Sequence, residues 1–137
     1  MSKTVFESKG KASGAAVERR KHILCSDEHE DTRTVMSLWL DLCGYEATTV
    51  GSLAETLPLV QKGIFDMFIL EGRYSDGLGV DLCQQIRQFD KRTPILFLSG
   101  LAFQSDIDKG MAAGAQAYLP KPCDFDVLEQ TIKKFIL

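Results

Sequence analysis

The chain has 137 residues, enough for one domain with a core of its own, and its 16 basic against 19 acidic residues leave a formal charge of -3. That balance supplies no field to attract nucleic acid or an anionic membrane, so neither is an expected partner. The start is locally basic, with Lys3, Lys9, Lys11, Arg19, Arg20 and Lys21 against Glu7 and Glu18, but it holds no apolar run that could act as a signal peptide or anchor, and a cytoplasmic location is expected.

Residues 1–20 have few large apolar side chains and no sustained period, which predicts a flexible basic tail. Residues 21–137 form the expected domain. A short apolar run, His22 to Ser26, opens it as a first strand. Val35, Leu38, Trp39 and Leu42 then fall on one helical face, and that helix should stop near Gly44. Glu46 to Val50 is the second strand. Ser52 and Glu55 make a capping box for a second helix with Leu53, Leu57, Val60 and Ile64 inward, although Pro58 removes one of its hydrogen bonds. Met67 to Leu70 is the third strand, and the glycines of Gly77-Leu78-Gly79 form a turn before a third helix carrying Leu82, Cys83, Ile86 and Phe89. Pro94 to Ser99 is the fourth strand, followed by a helix with Phe103, Ile107 and Met111 on its core face, closed by Gly114. Ala117 to Leu119 is the fifth strand, and Asp124 is placed to cap a last helix with Phe125, Leu128, Ile132 and Phe135 inward.

Five βα repeats with strands apolar on both faces predict an α/β fold of the flavodoxin-like, doubly wound kind. Its five-stranded parallel sheet should run in the order 2-1-3-4-5, with helices on both faces and the functional crevice at the carboxyl ends of the strands. Cys25, Cys43, Cys83 and Cys123 lack metal or redox spacing and read as reduced, mostly buried cysteines. His22 and His29 have no catalytic partners in the sequence and read as surface residues.

The strand ends carry the chemistry. Asp27 and Glu28 follow the first strand, Glu71 the third, Ser99 ends the fourth, and Lys121 follows the fifth. Carboxylates gathered this closely repel and need protons or a cation, for which a weakly held Mg²⁺ on Asp27, Glu28 and Glu71 is a candidate. A hydroxyl and an ammonium beside them could bind a phosphoryl oxygen. Read alone, Asp27 and Glu28 are ordinary helix-start acids and Lys121 a solvated lysine; their joint placement with Glu71 and Ser99 favours a site.

The blocks Ile23-Leu24-Cys25-Ser26-Asp27-Glu28, Asp66-Met67-Phe68-Ile69-Leu70-Glu71, Pro94 to Gly100 and Gly114 to Pro122 resemble, in order, the signature blocks of response-regulator receiver domains. The resemblance implies roles for individual residues. Asp27 and Glu28 take the place of the acidic pair for Mg²⁺, Ser99 that of the hydroxyl reaching the acyl phosphate, and Lys121 that of the family's lysine, with Lys121-Pro122 as a cis peptide. Tyr118 takes the aromatic switch position, where a core-edge aromatic is an equal reading. Glu71 departs from the family, whose phospho-acceptor is aspartate. Its additional methylene moves the carboxylate outward by about 1.5 Å, and a misplacement of about 1 Å can cost on the order of a hundredfold in rate. The same reach directs it toward Ser99 and Lys121, where it would partly imitate a phosphoryl group. Arg73 is expected at the pocket mouth, where it could neutralise Glu71.

The resemblance therefore implies a non-enzymatic, stand-alone atypical receiver, a monomer or weak homodimer, in phosphorelay or two-component signalling. It would bind a histidine kinase, an effector or another receiver, through a face formed by the fourth helix, fifth strand and fifth helix, independently of phosphorylation. One alternative is slow phosphorylation of Glu71. A Mg²⁺ phosphohydrolase ranks last, since that chemistry would want an Asp-x-Asp pair where the chain has Asp27-Glu28-His29.

Overall fold

The computed structural model describes residues 19–137; the expected tail lies, for residues 1–18, outside the described residues. The elements are β1 (His22–Ser26), α1 (Glu30–Leu42), β2 (Glu46–Val50), α2 (Leu53–Val60), β3 (Met67–Leu70), β4 (Arg73–Tyr74), β5 (Gly77–Leu78), α3 (Gly79–Phe89), β6 (Ile95–Ser99), α4 (Gln104–Ala112), β7 (Ala117–Pro120) and α5 (Phe125–Phe135). The main sheet is parallel with the order β2-β1-β3-β6-β7, the expected 2-1-3-4-5 arrangement of its five strands. A two-residue antiparallel hairpin, β4-β5, is added between β3 and α3.

Alternation along the strands divides the core between the two faces of the sheet. Ile23, Cys25, Met67, Ile69, Leu96 and Leu98 meet Met36 and Leu40 of α1 and Leu128 and Ile132 of α5. Leu24, Phe68, Leu70, Ile95 and Phe97 meet Val60 of α2 and Leu82, Cys83 and Ile86 of α3 on the other face. Each such fully buried side chain contributes about 1.5–3 kcal/mol, so the central strands anchor the loops that follow them.

Several sequence expectations shift. On α1 the buried residues are Met36 and Leu40, whereas Val35, Leu38 and Leu42 are exposed, Leu42 by 84%. Helix α2 ends at Val60, two residues beyond Pro58, which leaves Ile64 outside it and exposed. Phe89, Phe103, Met111 and Phe125 are exposed rather than core residues. Asp124 sits at the N-cap of α5 without a side-chain capping bond. His22 is buried, with its ring against Phe65 and its Nε2 2.7 Å from the Thr48 hydroxyl. Cys25 and Cys83 are buried and Cys43 and Cys123 partly so, all of them free. Arg20, which the sequence assigns to the tail, donates to the carbonyls of Asp41 in the last turn of α1 and of Gly44 and Tyr45 just beyond it, a favourable place for a cation. Among the described residues no helix is long and apolar enough to cross a membrane.

Candidate functional site

Strand β1 delivers Asp27, β3 delivers Glu71, β6 ends in Ser99, and Lys121 follows β7 directly, ahead of a cis Lys121-Pro122 peptide. Parallel strands in register bring these ends to one edge of the sheet. Asp27 and Glu71 are both buried there, and the Lys121 ammonium bridges them, donating to Asp27 Oδ2 at 2.5 Å and Glu71 Oε2 at 2.9 Å. Burial works to lower the lysine pKa, but the hydrogen bonds and charges of Asp27 and Glu71 outweigh it and hold the ammonium above its ordinary value.

Glu71 is further fixed by backbone donors. Its Oε1 accepts from Gly72 N at 2.5 Å, and its Oε2 lies 3.4 Å from Gly100 N, a long bond from the segment after β6. Only glycine fits at position 79 behind it, since a Cβ there would meet the Glu71 carbonyl at 2.0 Å. Ser99 is fully buried beside this carboxylate, and its Oγ accepts from Leu101 N at 3.0 Å. The link from Glu71 to the β6 end thus runs through Gly100, in place of the expected bond to Ser99.

Tyr118 is turned inward. Its ring stacks on Phe97 with centroids 5.3 Å apart and an interplanar angle of 29°, and its hydroxyl donates to Leu101 O at 2.5 Å. Helix α4 passes so close that a Cβ at Gly110 would lie 2.8 Å from the Tyr118 ring. Burial pushes the Tyr118 phenol above its ordinary pKa, against a lowering contact with Ser99.

Glu28 is not gathered with the other acids. Its two oxygens accept from Ser75 N at 2.6 Å and Ser75 Oγ at 2.7 Å, in the turn of the β4-β5 hairpin. Arg73 lines the mouth of the pocket with Glu28, His29, Glu71 and Gly100, but it is Lys121 that pairs with Glu71. Among the described residues no group of three or more His, Cys, Asp and Glu side chains is placed to hold a metal ion. With an ammonium between Asp27 and Glu71 and Glu28 drawn aside, the residues as arranged do not fit a divalent ion.

Three contributors escaped the sequence reading. Tyr74 Oη accepts from Glu71 N at 3.0 Å and donates to Ser26 O at 3.1 Å, joining the ends of β3 and β1; burial drives its pKa well above the phenol range. Arg33 Nη1 donates to the carbonyls of Asp27 and Glu28, both at 2.9 Å, and fixes the acidic turn. Ser75 holds Glu28. The turn glycine Gly77 was the sequence's only pointer to the hairpin that carries two of them.

Comparison with known proteins gives a consistent answer. The model of the response regulator receiver domain matches residues 23–133. The transcriptional regulatory protein ZraR of Salmonella typhimurium is 28% identical over 112 residues, covering 82% of this chain but 25% of that protein. The chain thus spans about a quarter of that curated relative. The chemotaxis protein CheY4 of Vibrio cholerae is 28% identical with a TM-score of 0.80, covering 86% of this chain and all (100%) of that one. A two-component response regulator from Clostridium difficile, 24% identical, shares the fold with a TM-score of 0.81, covering 85% of this chain and 96% of that one.

Proposed function

Because the chain belongs to the response regulator receiver domain family and so to two-component signalling, we propose that it is a cytoplasmic binding module whose state is set by Glu71 in place of a phosphoryl group. The observation that carries this reading is the bonding of the Glu71 carboxylate. A phosphoryl group on a shorter aspartate would need an ammonium and backbone donors around its oxygens; Glu71 already takes Lys121, Gly72 N and Gly100 N. Tyr118 is packed inward at the same time. An anion that is part of the chain needs no kinase to install it.

Binding output would use the surface of α4, β7 and α5, where Phe103 is 80% exposed and Met111 is also open to solvent. A histidine kinase, an effector or another receiver fits this role, with the chain as a monomer or weak homodimer. The donors on Glu71 hold its longer side chain in one place, which argues against slow phosphorylation at this residue, since in-line attack needs the nucleophile in near-attack geometry.

Incubation with a small phosphodonor and Mg²⁺, followed by intact mass measurement and peptide mapping, tests the reading. The unmodified chain should gain no phosphoryl group at Glu71, whereas Glu71→Asp combined with Ser75→Ala, which frees Glu28 for Mg²⁺, should gain one at that position. A stable adduct on Glu71 itself would overturn it.

A further inference from the structure

Every carboxylate oxygen of Asp27, Glu28 and Glu71 already accepts a hydrogen bond. Asp27 Oδ1 accepts from His29 N and Asp27 Oδ2 from Lys121. Both Glu71 oxygens and both Glu28 oxygens have donors, and the Asp27 and Glu28 carbonyls are held by Arg33. A hard divalent ion needs about six oxygen ligands, several of them carboxylate or water. Binding one here would have to draw Glu28 back from Ser75 and compete with the Lys121 ammonium for Asp27 and Glu71.

The hairpin that draws Glu28 aside is itself fastened at three points. Tyr74 Oη donates to Ser26 O, Gly79 N donates to Gly72 O, and the Asp76 carboxylate accepts from Leu53 N and Ala54 N at the start of α2. Ser75, between Tyr74 and Asp76, is thereby presented to Glu28 with both its N–H and its hydroxyl. From this arrangement we infer that the β4-β5 turn is a latch: Ser75 withdraws Glu28, Lys121 serves as the resident cation of Asp27 and Glu71, and the pocket works without a divalent ion. Releasing Glu28 and removing the ammonium converts the same pocket into a metal site.

This deepens the reading of Glu71 as a built-in anion and rests on it for its purpose, but its test reads metal and not partner binding or phosphorylation, so the two fail separately. Mn²⁺ is titrated into the full chain and free ion is followed by electron paramagnetic resonance. The unmodified chain should leave millimolar Mn²⁺ free, on the scale of weak carboxylate sites. Lys121→Met with Ser75→Ala should bind it at least about tenfold more tightly, because two carboxylates lose their counter-charge and Glu28 is loosened. Adding Glu28→Gln should remove most of that gain. If Lys121→Met does not fold, Ser75→Ala alone should gain a smaller affinity that Glu28→Gln abolishes. Binding by the unmodified chain as tight as by the double variant, or no gain in any variant, overturns the latch.

Discussion

Gly110→Ala probes the packing of Tyr118 directly. The new methyl would sit 2.8 Å and 3.0 Å from the Tyr118 ring edge and 3.2 Å from Phe97, so the Tyr118 ring must shift and Phe97 must give by a few tenths of an ångström. The ring can yield by swinging outward, which forfeits its bond to Leu101 O, about 1 kcal/mol, and its stacking on Phe97, about 0.5–1.5 kcal/mol. Alanine returns about 1 kcal/mol of helix propensity to α4. The balance is a net destabilisation of about 1 kcal/mol. In a Tyr118→Ala background the main clash is gone, and the same substitution should be neutral or stabilising, giving a coupling of about 1–2 kcal/mol. Urea denaturation of the four proteins measures this. An equal cost of Gly110→Ala in both backgrounds would refute the inward packing of Tyr118 as its cause.

Tyr74→Phe leaves the Glu71 N–H and the Ser26 carbonyl without their buried partner, which should cost about 2–3 kcal/mol in thermal or urea unfolding; a loss under about 0.5 kcal/mol would mean water replaces the hydroxyl. Asp76 has a lowered pKa, first through its bonds from Leu53 and Ala54 N, so its hold on α2 is present above the ordinary aspartate range and lost as pH falls through the folded value. Amide exchange at Leu53 and Ala54, corrected for its intrinsic pH dependence, should accelerate in Asp76→Ala and, for the unmodified chain, on acidification. Lys121 has a raised pKa, with hydrogen bonds to Asp27 and Glu71 overcoming burial, so its contribution is complete below the ordinary lysine value of about 10.4 and is lost as pH rises through the higher folded value. Alkaline melts should therefore show a steeper loss of stability above about pH 10 for the unmodified chain than for Lys121→Met.

The parallel sheet was legible because strands covered on both faces must be apolar throughout, as Ile23 to Cys25 and Met67 to Leu70 are, and its order followed from right-handed crossovers in a flavodoxin-like arrangement. The face of α1 was not. Val35, Leu38, Trp39 and Leu42 have the same spacing as Met36, Trp39, Leu40 and Cys43, one residue further on, and spacing alone cannot choose between two overlapping apolar stripes. Tertiary packing chose the second, in which Met36 and Leu40 are buried and Trp39 and Cys43 pack against them. Exposed Phe103, Met111 and Phe125 mislead for a related reason, since periodicity records apolar character and not whether a partner covers it.

At the strand ends, Asp27, Glu71, Ser99 and Lys121 were visible as isolated polar residues terminating apolar runs, and the sheet brings them together. Their connections were not visible. Glu28 depends on a hairpin with two-residue strands, too short to leave a period, and Arg33 reaches back from the first turn of α1 to backbone atoms that carry no sequence signal. His22 became a core residue because Phe65 and Thr48, far along the chain, close over it.

In the proposed function the Glu71 carboxylate keeps Tyr118 inward without phosphate, and fluorine NMR of the chain labelled with 3-fluorotyrosine tests this most directly. Three tyrosines give three resonances, and Tyr118→Phe assigns the one that matters. The Tyr118 resonance of the unmodified chain should stay in place when phosphodonor and Mg²⁺ are added, and Glu71→Gln should shift or broaden it as the ring samples solvent. A Tyr118 signal that moves on adding phosphodonor to the unmodified chain, or that ignores Glu71→Gln, would contradict this role of Glu71.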